Sequence, residues 1–131
     1  MIDVRSNTNC PRVLIVDDDP LIRSLVRTVL EDEEYELSEA EDGDQALDRA
    51  RERCPDVVLL DVMMPGADGY QVAASLRRDV SPDCVIIMLT ARDQASDRER
   101  GFRSGANAYF TKPFRPLELL DAVSAAVRVR R

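Results

Sequence analysis

Four apolar runs in this chain each end in residues able to do polar chemistry. Val13-Leu14-Ile15-Val16 runs into Asp17 and Asp18, and Val57-Val58-Leu59-Leu60 into Asp61. Val85-Ile86-Ile87-Met88-Leu89 ends at Thr90, and Ala108-Tyr109-Phe110 leads through Thr111 to Lys112. Two carboxylates about 5 Å apart repel by roughly 3 kcal/mol at an effective dielectric of 20. A third makes an empty cluster worse, so either a pKa rises or a cation binds. Carboxylates, a backbone carbonyl and waters are the oxygen ligands that Mg²⁺ prefers. Beside such a cation a carboxylate can attack phosphorus and form an aspartyl phosphate. That chemistry also needs positive charge and a hydroxyl donor on the phosphoryl oxygens, which Lys112 and Thr90 supply. The residue types therefore point to Mg²⁺-dependent phosphoryl transfer.

Those groups can meet only if the four runs are parallel strands, whose carboxyl ends share one edge of a sheet. Val57 to Leu60 reads as a strand buried on both faces, since it is continuously apolar and β-branched in its first half. Tyr35 to Ala40 alternates weakly, as an outer strand would. Between the strands lie helical patterns. Asp19 caps a first helix with Pro20 in its first turn and Leu21, Ile22, Leu25, Val26, Val29 and Leu30 on its apolar face. Asp42-Gly43 is a turn before a second helix lined by Ala46, Leu47, Ala50 and Cys54, which Pro55 stops. Asp68-Gly69 opens a third helix with Val72, Ala73 and Leu76 inward, and Val80 to Asp83 is a loop. The fourth helix, about Ala95 to Ser104, has little apolar content beyond Ala95 and Phe102, which predicts weak anchoring and mobility. Gly105 is placed to cap it. Pro116 begins a fifth helix whose stripe of Leu119, Leu120, Val123, Ala126 and Val127 is wider than one packing contact requires. Five strands alternating with five helices predict a parallel sheet covered on both faces; pattern alone leaves the strand order open.

With 131 residues, 44% of them apolar and 33% charged, the chain has the balance of one globular domain. Residues 1–11 read as a loose polar arm and 12–131 as a single domain. The net charge of −7 disfavours a direct nucleic-acid footprint. No apolar run is long enough to span a bilayer and the first residues lack a signal peptide's apolar segment, so membrane contact is not expected and a cytoplasmic location is. Cys10, Cys54 and Cys84 form no CxxC pair and there is no histidine, which excludes familiar zinc sites, serine-type triads and a histidine phosphocarrier within this chain. Cys84 is expected in the core, and Cys10 and Cys54 as incidental thiols.

The motifs together resemble the receiver domain of a two-component response regulator. The matching pieces are Val13 to Pro20, Leu59 to Gly66 with Asp68-Gly69, Leu89-Thr90-Ala91, and Gly105 to Phe114, and the likeness runs from about Arg12 to the C-terminus. It implies a flavodoxin-like, doubly wound sheet of order 2-1-3-4-5. It makes Asp61 the phosphoacceptor, Asp18 a direct Mg²⁺ ligand, Asp17 a ligand through water, and the Met63 backbone carbonyl the remaining protein ligand. Thr90 and Tyr109 correspond to the switch pair and Lys112 to the phosphate-binding lysine, with Ala91 beside Thr90 in the phosphoryl-binding motif and Lys112-Pro113 cis. Ala108 and Ala122 stand where dimerising receivers usually carry an acid and an arginine. A phosphorylation-dependent homodimer is left open.

With no histidine and no nucleotide loop in the chain, the donor is expected to be a phosphohistidine on a sensor histidine kinase or histidine phosphotransfer protein. The expected role is a signalling phosphoacceptor, not an enzyme acting on other substrates. On phosphorylation Thr90 is expected to move toward the phosphoryl oxygens, Tyr109 to turn into the vacated space, and helix 4, strand 5 and helix 5 to present the changed surface to an output partner. A haloacid-dehalogenase-like phosphatase is the alternative with an aspartate nucleophile, but it needs a second acid where Met63 stands. A flavin-binding module needs neutral phosphate-cradling groups where three aspartates follow strand 1.

Overall fold

The structure, a computed structural model, describes residues 10–130; the greater part of the expected arm, residues 1–9, lies outside the described residues. Strands β1 (Arg12–Val16), β2 (Glu36–Ala40), β3 (Val57–Leu60), β4 (Val85–Thr90) and β5 (Ala108–Thr111) form one sheet in the order β2-β1-β3-β4-β5. Every neighbouring pair is parallel. This is the expected doubly wound arrangement, with β1 and β3 adjacent and Val16 in register with Leu60. The helices are α1 (Pro20–Leu30), α2 (Gly43–Glu52), α3 (Gly69–Ser75), α4 (Ala95–Ser104) and α5 (Pro116–Arg130).

Alternation along the strands divides the core in two. Leu14, Val16, Val58, Leu60, Ile86 and Met88 face α2 and α3, packing with Ala46, Ala50, Ala73 and Leu76. Val13, Ile15, Val57, Leu59, Ile87 and Leu89 face α1 and α5, packing with Val26, Leu30, Leu119 and Val123. Full burial of a Val, Leu or Ile side chain is worth about 1.5–3 kcal/mol, so these two layers hold the strand ends in place.

Caps follow the short acids. Asp19 accepts from the Leu21 N–H at 2.9 Å with Pro20 as the first helical residue, and Asp68 accepts from the Tyr70 N–H at 2.9 Å. Asp42, expected in a turn, is the N-cap of α2 and accepts from the Gln45 N–H at 2.8 Å. Gly105 caps α4 with φ of 117°.

Several expectations need correction. The segment Leu76–Val80, whose end was expected to open a loop, continues α3 as a π-helical turn, closed by the Ser81 N–H on the Leu76 carbonyl at 2.8 Å. Cys54 lies beyond the end of α2 and is exposed, because Arg53 turns extended and ends the helix before the apolar face reaches it. Leu21 and Leu25 do not join the α1 core face; they are 77% and 45% exposed, and Val26 and Leu30 carry the burial. Among the described residues of α4 only Gly101 is buried, so the thin anchoring is present, though Ala95 contributes nothing to it. Cys84 is buried as expected. Among the described residues no helix is long and apolar enough to cross a membrane.

Candidate functional site

The carboxyl ends of β1 and β3 deliver the acids. The Asp17 N–H donates to the Ala40 carbonyl at 3.1 Å and the Asp61 N–H to the Val16 carbonyl at 2.9 Å, extending the ladder one residue beyond each strand. Asp17 and Asp61 are buried and Asp18 is exposed. One oxygen from each of the three carboxylates lies within 4.8 Å of the others. Lys112 reaches this cluster from the end of β5, where its N–H donates to the Thr90 carbonyl at 2.8 Å. Its Nζ donates to Asp17 Oδ2 at 2.7 Å and lies 3.4 Å from Asp61 Oδ2. The Lys112–Pro113 peptide is cis.

The other carboxylate oxygens of Asp17 and Asp61 are held by backbone. Asp17 Oδ1 accepts from the Asp19 N–H at 2.9 Å and Asp61 Oδ1 from the Met63 N–H at 3.1 Å. The segment after Asp61 closes as a two-residue antiparallel ladder, Met63–Met64 with Ala67–Asp68. Gly69 makes that closure feasible: a Cβ there would lie 2.5 Å from the Val62 Cα and 2.7 Å from the Asp61 carbonyl oxygen. The Gly69 N–H in turn donates to the Val62 carbonyl at 3.1 Å. Beside Asp18 and the Met63 side chain, which is half exposed, an open groove of about 620 Å³ runs past Gly66 and Tyr70 to Arg92 and Arg100.

The electrostatics reflect crowding. Burial pushes the Asp61 carboxyl up, the Met63 N–H and Lys112 pull it down, and the nearby Asp17 charge pushes it up again, leaving it above the usual aspartate range. Burial lowers the Lys112 ammonium, but its hydrogen bond to Asp17 and the charges of Asp61 and Asp17 outweigh this and hold it above the usual lysine value. Three carboxylates against one ammonium leave two negative charges uncompensated. That is the charge of a divalent cation, and all-oxygen donors suit Mg²⁺.

The structure thus brings together Asp17, Asp18, Asp61 and Lys112, with Met63 contributing its N–H. The other expected site residues sit around this group. Thr90 is fully buried at the end of β4, its Oγ1 accepting from the Arg92 N–H at 3.3 Å, and Ala91 is exposed beside it. Tyr109 is buried, with its ring against Gly101 of α4. Its hydroxyl donates to the Arg92 carbonyl at 3.0 Å and lies 3.4 Å from the Tyr70 hydroxyl.

Sequence reasoning missed Tyr70, a buried residue in the first turn of α3 that donates to the Asp97 carbonyl at 3.2 Å. Its aromatic type was the available signal, but no spacing links position 70 to 109. Gly101 was also missed; its lack of a side chain admits the Tyr109 ring, because a Cβ would lie 2.8 Å from a ring carbon. Arg23 was a third omission. Its guanidinium donates to the Asp17 carbonyl at 2.7 Å and to Glu39 at 3.0 Å. Burial raises the Glu39 carboxyl, yet hydrogen bonds and charge from Arg27 and Arg23 hold it below the usual glutamate range.

A parallel sheet of this order with acids at two adjacent strand ends and a lysine at a third is the architecture of a signal receiver. Residues 13–124 match the family model described as response regulator receiver domain, and the chain belongs to that family. It is 43% identical over 121 residues to the transcriptional regulatory protein ResD of Bacillus subtilis, a match covering 92% of this chain and 50% of that protein. It is 43% identical over 118 residues to the phosphate regulon transcriptional regulatory protein PhoB of Escherichia coli, covering 89% of this chain and 52% of that protein. The chain spans about half the length of these curated relatives. Among solved structures it superimposes on a CheY-like receiver domain from Methanospirillum hungatei with a TM-score of 0.87 and 26% identity, covering 92% of this chain and 96% of that one. The match is to receivers, and the phosphatase alternative finds no support.

Proposed function

We propose that Asp61 accepts a phosphoryl group from a phosphohistidine on a sensor histidine kinase or histidine phosphotransfer protein, in a Mg²⁺-dependent reaction. A carboxylate oxygen of Asp61 forms the new bond to phosphorus, the P–N bond breaks, and the imidazole of the donor departs. The observation that carries this reading is the placement of the Lys112 ammonium on both Asp17 and Asp61, with exposed Asp18 completing the cluster at the groove. Asp17, Asp18, Asp61 and the Met63 backbone carbonyl would hold Mg²⁺, which when bound neutralises charge on the cluster and on the incoming phosphoryl group. Lys112, the Thr90 hydroxyl and the backbone at Ala91 bind the phosphoryl oxygens. The chain's own residues thereby promote both gain and loss of the phosphoryl group, without turnover of any other substrate.

The acylphosphate on Asp61 draws Thr90 and, with it, the Thr90–Arg92 turn whose carbonyl holds Tyr109. The surface of α4, β5 and α5 changes in response and engages an output partner or a second copy of the chain. Leu117 and Val129 on α5 are 73% and 83% exposed, which leaves apolar surface for such contacts. The domain itself does not touch nucleic acid or membrane.

Incubating the chain with acetyl phosphate and Mg²⁺, or with a histidine kinase, should give a label that hydroxylamine removes. Chelating Mg²⁺, which removes the charge-neutralising cation, or making Asp61→Asn, which removes the nucleophile, should abolish that label. Equal labelling of Asp61→Asn would refute the assignment.

A further inference from the structure

We propose that Arg23 is a positioning residue for the metal site: its guanidinium fixes the Asp17–Asp18 peptide and so aims the Asp18 carboxylate. This rests on the reading that the acid cluster holds Mg²⁺.

Asp17 is held at every polar atom. Its N–H donates to the Ala40 carbonyl, its Oδ1 accepts from the Asp19 N–H, and its Oδ2 accepts from Lys112. Its main-chain carbonyl accepts from Arg23 Nη1 at 2.7 Å. Asp18 is different. It is exposed, and among the described residues no hydrogen bond or ion pair reaches its carboxylate. With no side-chain partner, what the fold fixes is the backbone from which the carboxylate extends.

The Asp17 carbonyl and the Asp18 N–H belong to one rigid planar unit. Holding that carbonyl oxygen sets the plane from which Asp18 departs. Arg23 can do this because its own position is fixed from the far side. Its Nε donates to Glu39 Oε1 at 3.0 Å, while Glu39 Oε2 accepts from Arg27 Nε at 2.6 Å. Glu39 precedes Ala40, whose carbonyl takes the Asp17 N–H, so the end of β2 braces both sides of the same residue. The guanidinium fork is needed, since one nitrogen faces the carbonyl and another the carboxylate; a lysine ammonium has no such fixed geometry.

Charge and geometry make opposite forecasts for Arg23→Gln. Removing a cation near three acids should tighten Mg²⁺ on Coulombic grounds alone. Releasing the Asp17 carbonyl should weaken it, by about tenfold if Arg23 acts as outer-shell support usually does. Isothermal titration with MgCl₂ on the whole chain decides, with thermal unfolding followed by circular dichroism on the same samples. The expected result is a Kd for Mg²⁺ raised about tenfold in folded Arg23→Gln and changed less than about twofold in Arg27→Gln, whose side chain pairs, among the described residues, with Glu39. Unchanged or tighter binding by Arg23→Gln, or an equal loss in Arg27→Gln, overturns the proposal. Should Arg23→Gln fail to fold, Arg23→Lys keeps the charge without the fork: weaker binding there supports the assignment and wild-type binding overturns it. If the unaltered chain itself binds no Mg²⁺, the metal reading falls and takes this inference with it; if only the variants match the unaltered chain, this inference alone falls.

Discussion

Strand β3 buries all four of its residues, two on each face of the sheet, and delivers Asp61 from the middle of the core. Helix α4, at the same edge of the molecule, has Gly101 as its one buried residue among the described residues. What holds α4 is polar. Tyr70 and Tyr109 reach its N-terminal end through the Asp97 and Arg92 carbonyls, and Arg100 pairs with Asp68 at 2.8 Å while its guanidinium lies 4.4 Å from the Tyr70 ring centroid. Arg98 lies 5.1 Å from the Tyr109 ring centroid and donates to the Tyr109 carbonyl at 3.2 Å. At the other end Arg77 donates to the Gly105 carbonyl at 2.7 Å. Apolar burial is non-directional and large, so it keeps the acids where they are. Hydrogen bonds contribute about 0.5–3 kcal/mol each, the larger values with charged donors, exposed ion pairs about 1 kcal/mol or less, and each can be exchanged for others. Asp61 stands on the first kind of support and α4 on the second.

The sharpest way to break that contrast is a pair of truncations. Leu59→Ala removes a fully buried side chain from β3 and should cost about 2–5 kcal/mol. Phe102→Ala removes the largest apolar group of α4, which is 47% exposed, and should cost about 1 kcal/mol or less. Urea unfolding of both variants measures the two costs directly. Comparable losses would mean that α4 is anchored as firmly as the central strand.

Gly101→Ala tests the contrast at the point where the two supports touch. Alanine improves helix propensity by about 1 kcal/mol over glycine. Its Cβ, however, would lie 2.8 and 2.9 Å from two Tyr109 ring carbons and 3.0 Å from the Met88 sulfur. Met88 is fixed in the core, so the helix or the ring must yield, and overpacking should leave a net loss of about 1–2 kcal/mol. Amide and Tyr109 ring shifts by NMR should change along α4 and β5 while β3 stays as it was. A net gain in stability would show that α4 floats free of the ring altogether.

The parts legible in the sequence are those that burial dictates. Continuous apolar runs can only be interior strands, and once they are parallel their terminal acids, hydroxyl and lysine must share an edge. The spacing of Asp17, Asp61 and Lys112 therefore carried the cluster before any coordinates. Strand order did not follow from pattern, because the apolar runs carry no mark of their neighbours and weak alternation in Tyr35 to Ala40 marks only an outer place; the likeness to receivers supplied it. Leu21 and Leu25 misled for a related reason: an apolar periodicity marks a face that is able to bury, and α1 meets α5 over only part of that face. The support of α4 was hidden because it is built from side chains and carbonyls far apart in sequence. Tyr70 and the Asp97 carbonyl, or Arg77 and the Gly105 carbonyl, show no periodicity that would announce their meeting.

The finest test removes one oxygen atom. Tyr70→Phe keeps the ring under Arg100 but deletes the hydroxyl that donates to the Asp97 carbonyl and lies beside the Tyr109 hydroxyl. Burial raises the Tyr109 phenol, and the hydrogen bond and charge of Tyr70 raise it further, against a smaller downward pull from Arg98. A folded-state pKa above the unfolded value means that this neutral phenol's contribution to stability is whole below the ordinary tyrosine value of 10.0 and is lost as pH rises from there through the folded value. Tyr70→Phe should therefore cost about 1 kcal/mol at pH 7. It should also bring Tyr109 ionisation, followed by phenolate absorbance, to lower pH. Hydrogen exchange of the α4 amides should quicken while the slowest amides of β3 change only by the global loss, since α4 opens locally through the contact that was deleted. If β3 and α4 instead quicken in step at every amide, α4 unfolds only with the whole domain, and the division between an apolar frame and a polar, exchangeable helix does not hold.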